Sequence, residues 1–381
     1  MWSNQKSLKV VVPQKIAFCP PYCPNQNCKW HNPTEKNALF HRHGKIKINR
    51  FPYVSPRFRC QLCKKVFTSS FFNLSYRDQI KDNYEEIMDL RIRGASKRDI
   101  ANFLEISLDT VIRRLSKLSR WGLLELAKDL KKIKITESIA YDGIENFSFS
   151  QYDPNNINHA IGRESLFIYD FNFCPINRKG RMSECQKLKK QEIEKIHGRY
   201  PPRAIENCTK KIFERLLEKS PAYLALHTDN HYLYRSALER ITKRKNIAHF
   251  ITPSIVARNY RNRLFAVNHL DMLTRHRLAD FKRETIAFAK TSQSMVESFI
   301  LLAVHKNYMR PKFVKKHSAD PNANKQSPAM HLGLRKKILS FYEFFEQRST
   351  KVQVNLNEDW LSFFERKDAF SRRPIRPYLG S

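Results

Sequence analysis

Apolar residues recur with two periods in this chain. Alternating or continuous apolar runs of five to eight residues mark strands in its middle, and runs with apolar residues three and four apart mark helices around them. The clearest run is Ala222 to Asp229, Ala-Tyr-Leu-Ala-Leu-His-Thr-Asp. Pro221 blocks helix before it, and Leu224 and Leu226 alternate with Ala225 and His227, so the pattern predicts a buried strand ending in one carboxylate. Residues 230–240 then have helical spacing, with Tyr234, Leu238 and Ile241 on one face. Glu137 to Asp142 predicts a second strand ending in an aspartate, followed by Gly143. Residues 157–170, with the apolar run Ser165 to Tyr169, predict the next strands, bent near Gly162. Residues 210–219 predict an amphipathic helix and residues 247–252 a further strand, while the charged stretch at about 171–207 reads as an insertion.

The flanks are helical or irregular. Residues 82–120 predict three helices: one with Ile87, Leu90 and Ile92 leading to Gly94, a short one over 97–104 capped by Ser96, and one from Leu108 to Arg120 capped by Ser107. Ile100, Ala101, Leu104, Ile106, Val111 and Leu115 would pack this unit, leaving Asp109, Thr110, Arg113, Arg114 and Lys117 outward. A short helix, a tight turn and a longer basic helix form a helix-turn-helix suited to the DNA major groove. Trp121-Gly122 is expected to end it, with a connector over 123–136. Asn268 through Lys290 predicts one long basic helix on which Arg275, Lys282, Arg283 and Lys290 would grip DNA backbone. Further on, residues 317–326 read as a linker, 335–348 as an aromatic-faced helix (Phe341, Tyr342, Phe344, Phe345), Val352 to Leu356 as a strand, and the stretch from Ser371 as a basic extended tail. The aromatic face is expected to pack on the core, or else to meet a second protomer.

Charge narrows the class. Lys and Arg number 70 against 36 Asp and Glu, a net +34 spread along the chain, and such an excess draws a protein to polyanions. No apolar run nears the roughly 20 residues that cross a bilayer, and the first residues lack an apolar signal core, so an intracellular soluble protein is expected. Five of eight cysteines fall within the first 63 residues, a clustering that argues for metal over disulfides. Cys23 and Cys28, then Cys60 and Cys63, form two close pairs suited to a tetrahedral structural zinc site, with Cys19 and His31 as alternatives in the first half.

Asp142 and Asp229 end two predicted strands 87 residues apart. The order of strands and helices is compatible with a ribonuclease-H-like sheet, in which adjacent strands bring carboxylates together around divalent metals. Asn268, 39 residues after Asp229, would face them from the next helix as a neutral oxygen donor. Glu297 is the reserve ligand. His227 and His269 could orient water or contact phosphate, or simply pack.

The succession of zinc ribbon, helix-turn-helix, Asp142-Gly143 strand and Thr228-Asp229 strand resembles bacterial insertion-sequence transposases of the DDE type. The segments Asn268 to Arg275 and Arg283 to Lys290 are similar to their acid-bearing helix, which in some members holds asparagine. His305 to Lys312 and Ser327 to Leu334 resemble further segments. The resemblance implies an α+β multidomain protein: zinc ribbon 1–75, helix-turn-helix 76–122, linker helix 123–136, catalytic domain 137–316 and C-terminal extension 317–381. It implies a transposase that uses Mg2+ or Mn2+ at Asp142, Asp229 and Asn268 to cut transposon 3′ ends and join them to target DNA. Double-stranded DNA is the implied partner, with a homo-oligomer formed on it in the bacterial cytoplasm, at the nucleoid. Two other readings share these residues: a sequence-specific DNA-binding regulator with a dead metal site, and a nuclease that cuts without joining.

Overall fold

A computed structural model describes residues 18–31, 39–47, 54–78, 83–282, 286–313, 325–345 and 354–366. Arg283, most of the 317–326 linker, the start of the strand expected from Val352 and the basic tail from Ser371 lie outside the described residues. The chain divides into two compact units, residues 1–81 and 82–381.

In the first unit β1 (Phe40–Lys47), β2 (Val54–Cys60) and β3 (Val66–Thr68) form an antiparallel sheet. Its core is aromatic as well as cysteine-rich. Phe58 stacks on Phe67 at 6.1 Å between ring centroids, and Phe72 meets Phe67 edge-on at 6.0 Å. Such a unit buries too little apolar surface to be stable without a staple.

The second unit begins with α1 (Tyr84–Ile92), α2 (Lys97–Phe103) and α3 (Leu108–Leu130). Ser96 and Asp99 close a capping box on α2, and the Ser107 hydroxyl accepts the Thr110 N–H at the start of α3. The expected stop at Trp121-Gly122 is absent: α3 runs on for 23 residues, and the expected linker helix is its second half. Gly122 is a contact residue and does not end the helix. A Cβ there would come within 2.8 Å of Val304 Cγ2, so glycine lets α3 pass close to the later helix that ends at Val304. For that reason the three helices belong to the same compact unit as the sheet and are not a separate domain.

The second sheet has the order β6-β5-β4-β7-β8 among the described residues. β4 (Ile139–Phe147), β5 (Pro154–Gly162) and β6 (Ile168–Pro175) form an antiparallel meander, and β7 (Leu224–Thr228) and β8 (Ile247–Ile251) add in parallel beside β4. Parallel neighbours need a crossover, which is supplied here by α4 (Glu184–His197) with α5 (Ala204–Lys219), and then by α6 (Tyr232–Glu239). The expected insertion is therefore the last strand of the meander plus α4 and the start of α5. All nine residues of β5 are buried, including Asn155, Asn156, Asn158 and His159. Polar positions hid its first residues, 154–156, from the hydrophobic pattern, which placed a strand only from Ile157. The asparagine side-chain N–H groups donate in a relay, Asn156 to Asn158 at 3.0 Å, Asn158 to Asn172 at 3.0 Å, and Asn172 to the Cys208 carbonyl at 2.8 Å, while Asn155 Oδ1 and Asn156 Oδ1 have no hydrogen-bond partner among the described residues.

After β8 come α7 (Phe265–Arg277) and α8 (Ser292–Val304), with α9 (Pro328–His331), α10 (Phe341–Phe344) and α11 (Glu358–Glu365) beyond. The long basic helix expected through Lys290 stops at Arg277: a short 3-10 turn, Ala279–Phe281, follows, Asp280 in it turns inward to a buried ion pair, and α8 begins only at Ser292. Of the aromatic helix expected over 335–348, the described residues up to Phe345 hold the four-residue α10. Phe344 packs on Tyr308 at 4.9 Å and Phe345, just past the helix, on Trp121 at 6.3 Å, while Tyr342 is exposed. Trp360 of α11 lies 4.9 Å from Phe171 and donates its indole N–H to the Phe171 carbonyl at 2.9 Å. Among the described residues no helix is long and apolar enough to cross a membrane.

The buried Arg91 of α1 pairs with Asp280 and donates to Ser298 of α8 at 3.0 Å, joining the first helix to this core. Burial alone would raise the Asp280 carboxyl, but the charges of Arg91 and Lys97 outweigh it and hold the group below the usual carboxylate range. A depressed carboxylate stabilises the fold above the unfolded pKa near 3.9, and that contribution is lost as pH falls below it. Arg91→Met would strand a buried charge, and a loss of about 3–5 kcal/mol is expected at pH 7. Urea unfolding measures it. A wild-type midpoint would show that the ion pair does not hold α1 in place.

Candidate active site and metal centre

The four cysteines expected to bind zinc come together. Cys23, Cys28, Cys60 and Cys63 offer sulfurs that all lie within 4.8 Å of one another. Cys23 Sγ is 3.5 Å from Cys63 Sγ, and Cys28 Sγ is 3.9 Å from Cys60 Sγ. A tetrahedral zinc with Zn–S bonds of about 2.3 Å sets its sulfurs about 3.8 Å apart, so the residues fit the ion. The Cys60 to Cys63 turn closes through the Lys64 N–H to the Cys60 carbonyl at 3.0 Å, with Lys64 at φ 60°. His31 is not a fourth donor: its Nδ1 bonds the Cys23 carbonyl at 2.7 Å, and its ring meets Tyr22 edge-on. Cys19 is exposed. Four protein sulfurs leave no position for substrate, so the site is structural.

The second candidate centre stands on β4, at the end of β7 and on α7. β4 and β7 are paired in parallel with Ile139 opposite Leu226 and Ala140 opposite His227. That offset is the same 87 residues that separates Asp142 from Asp229, so the register carries the two aspartates to neighbouring positions. Asp142 lies mid-strand and not at a strand end as the pattern suggested, since β4 continues to Phe147. Gly143 permits this: a Cβ there would meet the Asn156 amide at 2.2 Å. The Gly143 N–H donates to Asp142 Oδ1 at 2.7 Å, and the Tyr234 hydroxyl approaches the same oxygen at 3.4 Å. Asp229 Oδ1 accepts the His231 N–H at 2.9 Å, while His231 itself caps α6.

A third carboxylate joins them from α7, and it is Asp271. Burial pushes the Asp142 carboxyl up to about 7, the charge of Asp271 pushes the same way, and Asp229 adds to it. Burial likewise pushes Asp271 up to about 7 against the pull of Arg275 and Arg258. Two carboxylates, Asp142 and Asp271, that resist ionisation are a feature of an unneutralised cation site. Carboxylate oxygens are the donors that hard divalent cations take, but among the described residues only the four cysteines lie close enough together to form a metal-binding group. His159, opposite Asp142 on β5, puts Nε2 3.2 Å from Asp271 Oδ1. The contact is off-line, and neither atom has a hydrogen-bond partner among the described residues.

Asn268 lies one turn before Asp271 on the same helix, and among the described residues its amide bonds neither aspartate. Glu297 lies elsewhere, accepting from Gln293 Nε2 at 3.1 Å and standing 3.3 Å from Arg366 Nε. His227 stacks on Phe250 at 4.8 Å and contacts Arg163 Nη1 at 3.2 Å, and His269 stacks on Phe265 at 5.6 Å. Burial holds both rings down to about 4.

Two signals could have found the missed residues. Asp271 is three residues from Asn268, hence on the same helical face. His159 pairs with Asp142 in a hairpin whose innermost pair is Phe147 and Pro154. Reading the first strand as ending at Asp142 concealed that hairpin.

The expected DNA-contacting residues divide. Arg113 is exposed, Thr110 and Lys117 are half-buried, and Arg275, Lys282 and Lys290 are exposed. Arg114 does not point outward as expected. It is buried, bonded to Asn83 Oδ1, with its guanidinium 4.9 Å over the Tyr84 ring. Position i+7 from Ser107 falls on the inner face of α3, and cation–π contact lets an arginine occupy it. Arg275 donates to the Glu145 carbonyl at 3.1 Å, and exposed Arg258, Arg261 and Arg263 line the loop leading into α7.

An 85-residue stretch, 22% of this chain, is 35% identical to the insertion element iso-IS1N protein InsA of Shigella dysenteriae and covers 86% of that protein. In that stretch the chain belongs to the InsA proteins of insertion elements. No family model matches the chain. The InsA likeness leaves some three quarters of the chain without a counterpart in that relative.

Proposed function

We propose that this protein is a DNA transposase of the DDE type, with aspartate in the third place, that binds its element's ends, cuts at the 3′ strands and joins them to target DNA. The observation that carries the reading is the meeting of Asp142, Asp229 and Asp271 from two adjacent strands and one helix. The strand order, an antiparallel meander followed by two parallel strands, is compatible with a ribonuclease-H-like sheet and supports the reading. So do the likeness to an insertion-element protein and the net charge of +34.

In this reading Asp142, Asp229 and Asp271 hold Mg2+ or Mn2+, with Asn268 one turn away from the third. Bound divalent cations supply activation of the attacking hydroxyl and stabilisation of the leaving oxygen at a scissile phosphate. The residues themselves set the geometry. Tyr234 and the Gly143 N–H fix the Asp142 carboxylate, and the His231 N–H fixes that of Asp229. Arg258 and Arg275 lie near Asp271 and, with exposed Arg263 of the loop before α7, would take the phosphate backbone. Arg113, Thr110 and Lys117 of α3 would contact the element's ends. End pairing calls for a homo-oligomer on DNA, at the nucleoid of a bacterial cell.

The test is wild type against Asp229→Ala with Mg2+ on duplex DNA carrying the element's ends. Cleavage and joining by the wild type alone is expected. Equal end binding by both, with no strand cut in Mg2+ or Mn2+, would leave a DNA-binding regulator, and cutting without joining would leave a nuclease.

A further inference from the structure

We propose that His159 is itself a metal ligand, so that the cation beside Asp271 is held by a nitrogen as well as by carboxylate oxygens. The inference rests on the reading of Asp142, Asp229 and Asp271 as a divalent-metal centre.

The two ring nitrogens of His159 meet different partners. Nδ1 lies 3.1 Å from the Ile157 carbonyl oxygen. A carbonyl only accepts, so Nδ1 carries the proton and Nε2 carries a lone pair. A backbone acceptor on one nitrogen is also the usual way in which a protein presents the other nitrogen to a metal. Nε2 then faces Asp271 Oδ1 at 3.2 Å, and neither atom is hydrogen-bonded among the described residues. Two lone pairs at that distance repel unless something positive lies between them or beside both.

The spacing says what would fit. Adjacent donors of an octahedral ion with bonds of about 2.1 Å are about 3.0 Å apart, close to the 3.2 Å seen here. The imidazole is fully buried, with Phe299 6.1 Å from its ring, and it stands opposite Asp142 across the β4–β5 pair. It is thus held in place before any ion arrives. The strand that carries it is buried along its whole length, which is unusual for a histidine that serves only packing, because such a ring normally satisfies both nitrogens.

A nitrogen donor has a chemical consequence. Imidazole favours transition metals over Mg2+, whereas an all-oxygen set does not discriminate in that way. The centre should therefore bind Mn2+ more tightly than Mg2+.

The experiment is pulsed electron paramagnetic resonance on the zinc-loaded full chain titrated with Mn2+. Nitrogen-14 modulation on bound Mn2+ is expected, lost in His159→Gln and kept in His227→Gln, with Mn2+ affinity at least about tenfold weaker in the former. Bound Mn2+ without nitrogen modulation in the wild type would overturn the proposal and leave His159 a partner that shares a proton with Asp271. The wild-type spectrum decides this even if His159→Gln fails to fold, and His159→Asn gives a second variant. If the wild type and Asp142→Asn bind Mn2+ equally and without nitrogen modulation, both this inference and the metal-centre reading beneath it fall.

Discussion

Asp271→Asn is expected to lower Mn2+- or Mg2+-dependent strand cleavage by at least about 10²–10³-fold, while Asn268→Ala lowers it by less than about tenfold. The difference follows from charge. Divalent cations at a phosphate need anionic oxygen, and a neutral amide binds them more weakly than a carboxylate. Asp271 is the charged group that acts most on Asp142, and its geometry is fixed by a helix whose buried face, Val267, Leu270 and Thr274, packs into the core. Asn268 shares the helix but lies a turn nearer its start. Single-turnover cleavage of pre-bound end DNA separates the two, because DNA affinity should be nearly unchanged in both variants. The reverse ranking, with Asn268→Ala inert and Asp271→Asn active, would return the third ligand to Asn268.

Removing zinc should unfold the first unit. The three-stranded sheet offers a small aromatic core and four sulfurs that all lie within 4.8 Å of one another. Without the ion, burial pushes the Cys23 and Cys28 thiols up, while hydrogen bonds to the Lys65 backbone and Asn25 outweigh burial at Cys63 and draw it down to about 7. A structural zinc in so small a unit supplies folding free energy on the order of 10 kcal/mol. Chelation should therefore release one zinc per chain and abolish amide protection across β2 and β3, and Cys60→Ser should do the same without chelator. Retained protection in the metal-free protein would show that the aromatic cluster alone suffices.

How much of this could be read beforehand depends on what kind of signal each residue leaves. The cysteine ligands were legible because thiolate pairs at short spacing have few other uses. Asp142 and Asp229 were legible because each interrupts or ends an apolar run. Ser96 and Ser107 announced their helices because capping chemistry is local. Arg114 was misjudged because its outward position depended on which face α3 buries, and α3 buries a wide one against α1 and α8.

The sequence by itself determined the local facts: the cysteine clip, the capped helices, the two aspartate-bearing strands, and a charge balance that selects polyanionic partners. Tertiary structure alone decided which distant groups meet. The parallel register of β4 with β7 brings together aspartates 87 residues apart, the hairpin of β4 with β5 sets His159 opposite Asp142, and the break between α7 and α8 turns Asp280 inward to Arg91. Periodicity records which face of an element is buried but not what lies across from it. The polar start of β5, Asn155 and Asn156, leaves little hydrophobic trace, because what buries those amides is the pairing of β5 with β4 and β6.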